Sequence, residues 1–195
     1  KRTLQVLLPA AYTALFIYII YKFKFFACEG LSKNLIVFIF LLKIAFGTLL
    51  WAIYTFYYTD RSTADIHKYF DDSRIIYDAL KTNPIDYFKI LFGIDNDNSY
   101  FDQHYYHKMS YWSKSSSTYF YNESHTIIRL NAFAHLFSLG NYHVHTVIIC
   151  FLSLVGLTAI YKTFLPYLQN KKTELVLIIF FLPSMLLWSS GVLKE

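Results

Sequence analysis

The stretch TDRSTADIHKYFDDS, residues 59–73, sets Asp60, Asp65, Asp71 and Asp72 among Arg61, His67 and Lys68. A carboxylate held at a membrane surface against apolar walls has its pKa raised by desolvation and can serve as a general base. The cations beside it, Arg61 and Lys68, can hold an anionic phosphate. Helical spacing over 62–80 puts Arg61, Asp65, Lys68, Tyr69 and Asp72 on one face and Ile66, Phe70, Tyr77 and Leu80 on a separate apolar stripe. Asp65, backed by Asp71 and Asp72, is the leading catalytic candidate. The competing interpretation is a solvated helix face with local ion pairs, each worth little.

Other polar groups are less specific. Asp95-Asn96-Asp97 is the kind of pair that binds a divalent cation, but Tyr100 stands where a calcium loop needs glycine. A turn rich in Asp and Asn explains it as well. Asp102, His104 and His107 lie in an irregular loop, and His143 and His145 share one helix that turns their rings apart. Surface or interfacial histidines are the expectation for both groups, with no metal assigned. Lys43 lies well inside an apolar segment, where ionisable groups are costly, and is expected to find a structural partner in the helix bundle. Asn122-Glu123-Ser124 is a glycosylation triplet, relevant only in a eukaryotic secretory lumen. Cys28 and Cys150 make no disulfide framework or metal spacing.

What must position these groups is a set of membrane helices. Hydrophobic residues form 55% of the chain and charged ones only 16%, where a soluble domain carries about a quarter. The apolar residues fall in blocks, 4–26, 34–58, 142–164 and 175–193. Each is close to the roughly 20 residues that cross a hydrocarbon core of about 30 Å. Backbone in lipid must satisfy its own hydrogen bonds, so each block is expected to be a helix. Tyr21, Tyr54, Tyr57, Tyr58, Tyr142, Tyr161 and Trp188 sit near the block ends, as an interfacial belt places them. The first block is too long for a signal peptide and lacks a cleavage site before Lys22 and Lys24. The expected fold is all-α: one membrane domain over 1–195, with about four transmembrane helices and interfacial amphipathic helices in a long outer loop, 59–141.

Within that loop, Ser62 or Thr63 is expected to cap the first helix. Asn83 as cap, Pro84 at the first position and Gly93 as stop delimit a second. Its Ile85, Phe88, Leu91 and Phe92 suit a helix lying in the interface plane. Residues 95–124 are polar, aromatic and serine-rich, and long enough for a functional loop. A further helix over 125–139 is expected to bury Ile127, Leu130, Ala134 and Phe137 and to stop at Gly140.

Orientation follows from short-loop cations. Lys22, Lys24 and Lys33 in one loop and Lys162, Lys171 and Lys172 around another place both loops in the cytoplasm. Loop 59–141 is then extracytoplasmic, with Lys1 and Arg2 dissenting. The net charge of +5 comes from lysines scattered beside the spans rather than from a basic face, which argues against a nucleic-acid partner.

Two stretches, DRSTADIHKYFDDS and PSMLLWSSGVLKE, carry a resemblance to GT-C-type integral-membrane glycosyltransferases, nearest to the protein mannosyltransferase and lipid A aminoarabinose transferase groups. The resemblance implies an enzyme of the bacterial inner membrane. Such an enzyme transfers a sugar from a polyprenyl-phosphate donor to a glycan, lipid or protein acceptor of the envelope. It assigns Asp65 as base or metal ligand, with Asp71 and Asp72 behind it, and Arg61, Lys68 and Lys194 to the donor phosphate. No cofactor is demanded, though the family pattern leaves room for a divalent cation. The family has more spans, and the acidic loop usually follows the first of them. This chain therefore resembles an N-terminal portion. The alternative is a non-catalytic membrane subunit for polysaccharide export or assembly.

Overall fold

The computed structural model describes residues 2–58, 61, 64–112 and 123–193, with side chains from Gln5 onward. Among these residues the secondary structure is helical, apart from an isolated bridge between Cys28 and Leu31. Three helices among the described residues are long and apolar enough to cross a membrane: Gln5–Lys22, Lys33–Tyr57 and Tyr142–Phe164. The chain divides into two compact units, Lys1–Ala52 with Thr146–Gly191, and Ile53–His145 with Val192 and Leu193.

The first unit holds α1 (Arg2–Lys22), α2 (Lys33–Ala52) and most of α7 (Tyr142–Phe164). The fourth apolar block is not one helix. It forms α8 (Lys172–Phe180) and α9 (Pro183–Trp188), interrupted at Phe181 and Leu182. Pro183 supplies the cause, because its ring disfavours helical backbone in the preceding residue, and Leu182 is extended at φ −60° and ψ 124°. The core gathers Ile20, Phe26, Ile39, Phe40, Leu154 and Phe180. Phe16 stacks on Phe151 at 4.2 Å. Gly47 serves close packing: a Cβ there would run into the Ser190 carbonyl oxygen and lie 2.6 Å from Thr146 Cγ2. Small residues take such positions because a larger side chain would hold the helix backbones apart.

The buried lysine of this unit has the structural partner its position calls for. Lys43 is fully buried and donates from Nζ to Ser189 Oγ at 2.6 Å. Ser189 in turn donates to the Met185 carbonyl, and Cys150 Sγ points to the Ser190 carbonyl at 3.6 Å. Contacts from α2 and α7 thus meet at the end of α9.

The second unit holds α3 (Asp65–Thr82), α4 (Pro84–Phe92), α5 (Ser99–His104) and α6 (Ser124–Ser138). α3 packs chiefly on α6, and also on α4. The helix starts at Asp65 with Ala64 at the capping position and no side-chain cap, while Ser62 and Thr63 lie outside the described residues. Ile66 and Phe70 are buried as their stripe requires, but Tyr69 and Asp72 on the polar face are buried too. α3 is therefore covered on two sides, and its exposed side is the one that carries Arg74, Asp78 and Lys81. Asn83 does not cap α4 with its side chain; its backbone N–H closes α3 on Ala79 at 2.7 Å. Pro84 occupies the first turn and Gly93 is left-handed at φ 70°, the conformation that favours glycine.

α6 departs from its expected orientation. Ile127 and Ala134 are buried, but Leu130 and Phe137 face outward, and the inner side carries Asn131, His135 and Ser138. The reason is a buried polar network. The Ser73 hydroxyl donates to the Phe70 carbonyl at 2.6 Å, which leaves its oxygen to accept from His135 Nε2 at 3.1 Å. His145 is fully buried, not at the surface: its Nδ1 lies 2.8 Å from Asn131 Oδ1, and the Ser138 hydroxyl reaches its Nε2 at 2.8 Å. With Nδ1 donating and Nε2 accepting, this pattern assigns the His145 imidazole as neutral. Buried polar groups need partners, and meeting that need on the inside sends apolar residues of α6 outward.

Candidate functional site

The acidic cluster is organised around one aromatic residue. Tyr111 donates its hydroxyl to Asp65 Oδ1. Its backbone N–H and that of Ser110 donate to the two oxygens of Asp72, each at 2.8 Å. Asp65 and Asp72 stand seven residues apart on α3, two helical turns, so they share a side of the helix. Tyr111 closes over that side and also packs against Tyr69 at 5.2 Å. Lys68, one turn from each carboxylate, sets its ammonium 4.5 Å from the Tyr111 ring centroid and 3.5 Å from its hydroxyl. A cation over an aromatic face is attracted by the ring quadrupole.

The carboxylates differ in their surroundings. Asp72 is buried, and desolvation pushes its pKa above the ordinary carboxylate range, partly offset by the two backbone N–H groups it accepts. Its geometry is that of a residue holding a loop. Asp71 forms a bidentate pair with Arg61, Nε to Oδ2 at 3.0 Å and Nη2 to Oδ1 at 2.7 Å, with both side chains about half exposed. Asp65 is half-buried and hydrogen-bonded through one oxygen to Tyr111. Burial and the Asp65 carboxylate together push the Tyr111 hydroxyl well above the usual tyrosine range, so it stays a donor.

Of the residues singled out in the sequence, Asp65, Asp72 and Lys68 converge on Tyr111, and Arg61 pairs with Asp71. Lys194 and Asn122 lie outside the described residues. Asp95 has a left-handed backbone, φ 45°, and pairs with Lys89 at 2.9 Å. His104 and His107 spend their Nδ1 atoms on the carbonyls of Tyr100 and Asp102. Among the described residues no group of three or more His, Cys, Asp or Glu side chains could hold a metal ion. Asp97 and Asp102 line an open pocket of about 400 Å³ with Tyr106, Trp112 and His125. Trp112 stacks there with His125 at 4.0 Å and with Tyr106 at 4.5 Å.

Sequence spacing did not single out Tyr111 or Asp86. Asp86 is buried and accepts the hydroxyls of Tyr100 at 2.9 Å and Tyr105 at 2.8 Å. The one available signal was the density of tyrosines in 100–121, which marks a loop with many hydroxyl donors but not their acceptors.

Compared with family models, curated proteins and solved structures, the chain matches none of them.

Proposed function

We propose that the chain is a membrane glycosyltransferase, or the N-terminal part of one, that moves a sugar from a polyprenyl-phosphate donor to an envelope acceptor. The supporting observation is the Asp65–Tyr111–Lys68 arrangement. It provides a carboxylate with one oxygen engaged by Tyr111 and a cation within a turn of it. Asp65 takes the proton of the acceptor hydroxyl as that oxygen attacks the sugar's anomeric carbon. The bond to the phosphate oxygen breaks, and the negative charge left on the lipid phosphate is stabilised by Lys68, with Lys194 assigned the same role. Asp72 fixes Tyr111, and Asp71 holds Arg61. In this reading loop 59–141 is extracytoplasmic and the membrane is the bacterial inner membrane.

The test is Asp65→Asn in membranes supplied with radiolabelled polyprenyl-phosphate sugars. Loss of transfer at unchanged membrane insertion is the expected result, and normal transfer would remove Asp65 from the mechanism.

A second reading, a non-catalytic subunit for polysaccharide export or assembly, is favoured by a separate observation. Asp71 and Asp72 are both engaged in structural contacts. It predicts that Asp65→Asn is tolerated, while deletion of 100–121 is not.

A further inference from the structure

The outer surface of the second unit has two chemistries. Along α3 the exposed side chains are Arg74, Asp78 and Lys81, joined by ion pairs of 4.0 Å and 2.7 Å. They mark the exposed side of α3. Along α6 the outward line is Leu130, Phe133 and Phe137, with the two phenylalanines 48% and 47% exposed. The same helix buries Asn131, His135 and Ser138 alongside Ile127, Ile128, Ala132 and Ala134. α4 is similar: Asp86 is buried with Tyr87 and Ile90, whereas Ile85 and Phe92 are 67% and 66% exposed.

A helix in water turns its apolar stripe toward the protein and its polar residues outward. Here two neighbouring helices bury a mixed polar and apolar side and still leave an apolar stripe outside, with Asn131, Ser138 and Asp86 partnered within the protein. Such an arrangement suits a surface whose surroundings are apolar. Chain continuity indicates which surroundings these are. α6 ends at Ser138, and α7, one of the three helices apolar and long enough to cross a membrane, starts at Tyr142. With only Leu139, Gly140 and Asn141 between them, the end of α6 stays within about 15 Å of a membrane entry point, the reach of a few extended residues.

From these observations we infer that the exposed apolar faces of α4 and α6 rest in the boundary between lipid headgroups and acyl chains, while the Arg74–Asp78–Lys81 side of α3 faces water. The partner is a lipid surface, engaged by Ile85, Phe88, Phe92, Leu130, Phe133 and Phe137. Amphipathic helices at this depth bury their apolar side below the headgroups. Lys89, paired with Asp95, and Arg129, whose Nε donates to the Ile90 carbonyl at 2.8 Å, flank the two helices with headgroup-compatible cations. The inference concerns the seating of the unit and holds whichever chemistry Asp65 performs.

The experiment places a single bimane-labelled cysteine in the full chain, with Cys28→Ser and Cys150→Ala, reconstituted in phosphatidylethanolamine–phosphatidylglycerol vesicles. The sites are Phe88→Cys and Phe133→Cys, with Val6→Cys on α1 as the lipid reference and Asp78→Cys as the water reference. Brominated lipid should quench positions 88 and 133 at least about twofold more than position 78, approaching position 6. Quenching by aqueous iodide to the level of position 78 would overturn the inference. So would shielding from both quenchers, or cross-linking between copies through position 133, since either makes the face a protein interface.

Discussion

Tyr111 is bound to α3 twice, by its hydroxyl to the Asp65 carboxylate and by its backbone N–H to Asp72 Oδ2 at 2.8 Å. One residue of a long aromatic loop therefore links two carboxylates that lie two turns apart. The two bonds are chemically separable, because only the first depends on the side chain. That separation makes the site testable one contact at a time.

Removing the hydroxyl alone isolates the first bond. Tyr111→Phe should leave the Asp72 contacts in place, since they use the backbone, and cost about 1 kcal/mol of stability. Asp72→Ala should cost more, about 2 kcal/mol, because two N–H groups lose their acceptor. Thermal unfolding in detergent measures both. If Asp65 is the base, Tyr111→Phe should also lower transfer by about tenfold through loss of carboxylate positioning. A structural role alone would move only the unfolding temperature.

Acid acts on this unit through two groups of opposite sign. Burial lowers the His135 pKa from 6.5 to about 4. Its neutral form is thus favoured in the folded state, and the stability this contributes is present above pH 6.5 and lost as pH falls toward 4. His145, Arg74, Asp78 and Asp71 are the titratable or charged groups around it. Asp72 has a raised pKa, so its contribution is fully present below the ordinary value of 3.8 and disappears as pH rises through the folded-state value. His135→Leu should therefore flatten the loss of stability between pH 6.5 and 4, by up to about 3 kcal/mol. Asp72→Asn should steepen it at the acid end. Unfolding midpoints measured across that range distinguish the two.

Lys43 offers a double-mutant cycle inside the first unit. Its ammonium is fully buried with Ser189 Oγ as acceptor. Ser189→Ala should cost about 1–3 kcal/mol by leaving a buried charge less well solvated. Lys43→Met, which removes the charge and keeps the volume, should be close to neutral, as replacements of buried charges by apolar residues often are. The double variant should then resemble Lys43→Met alone. A loss in the double variant equal to the sum of the single losses would show that the two side chains do not depend on each other.

The sequence by itself determined what depends on local chemistry. Block length and apolarity fix α1, α2 and α7 as helices able to cross a membrane. Pro84 with Gly93 bounds α4, because ring closure and left-handed backbone act within a residue or two, whereas block length alone did not show the break that Pro183 makes between α8 and α9. Asp65 and Asp72 are legible as carboxylates two turns apart on one helix. The tertiary structure decided which of them is held and by what. Tyr111 lies 46 residues from Asp65, a separation that no helical period encodes. It also decided which way α6 faces. Periodicity alone would bury Leu130 and Phe137, but partners of Asn131, His135 and Ser138, namely His145 and Ser73, come from other segments of the chain. Satisfying buried polar groups outweighed burying the phenylalanines, and that choice can be made only when the elements are assembled.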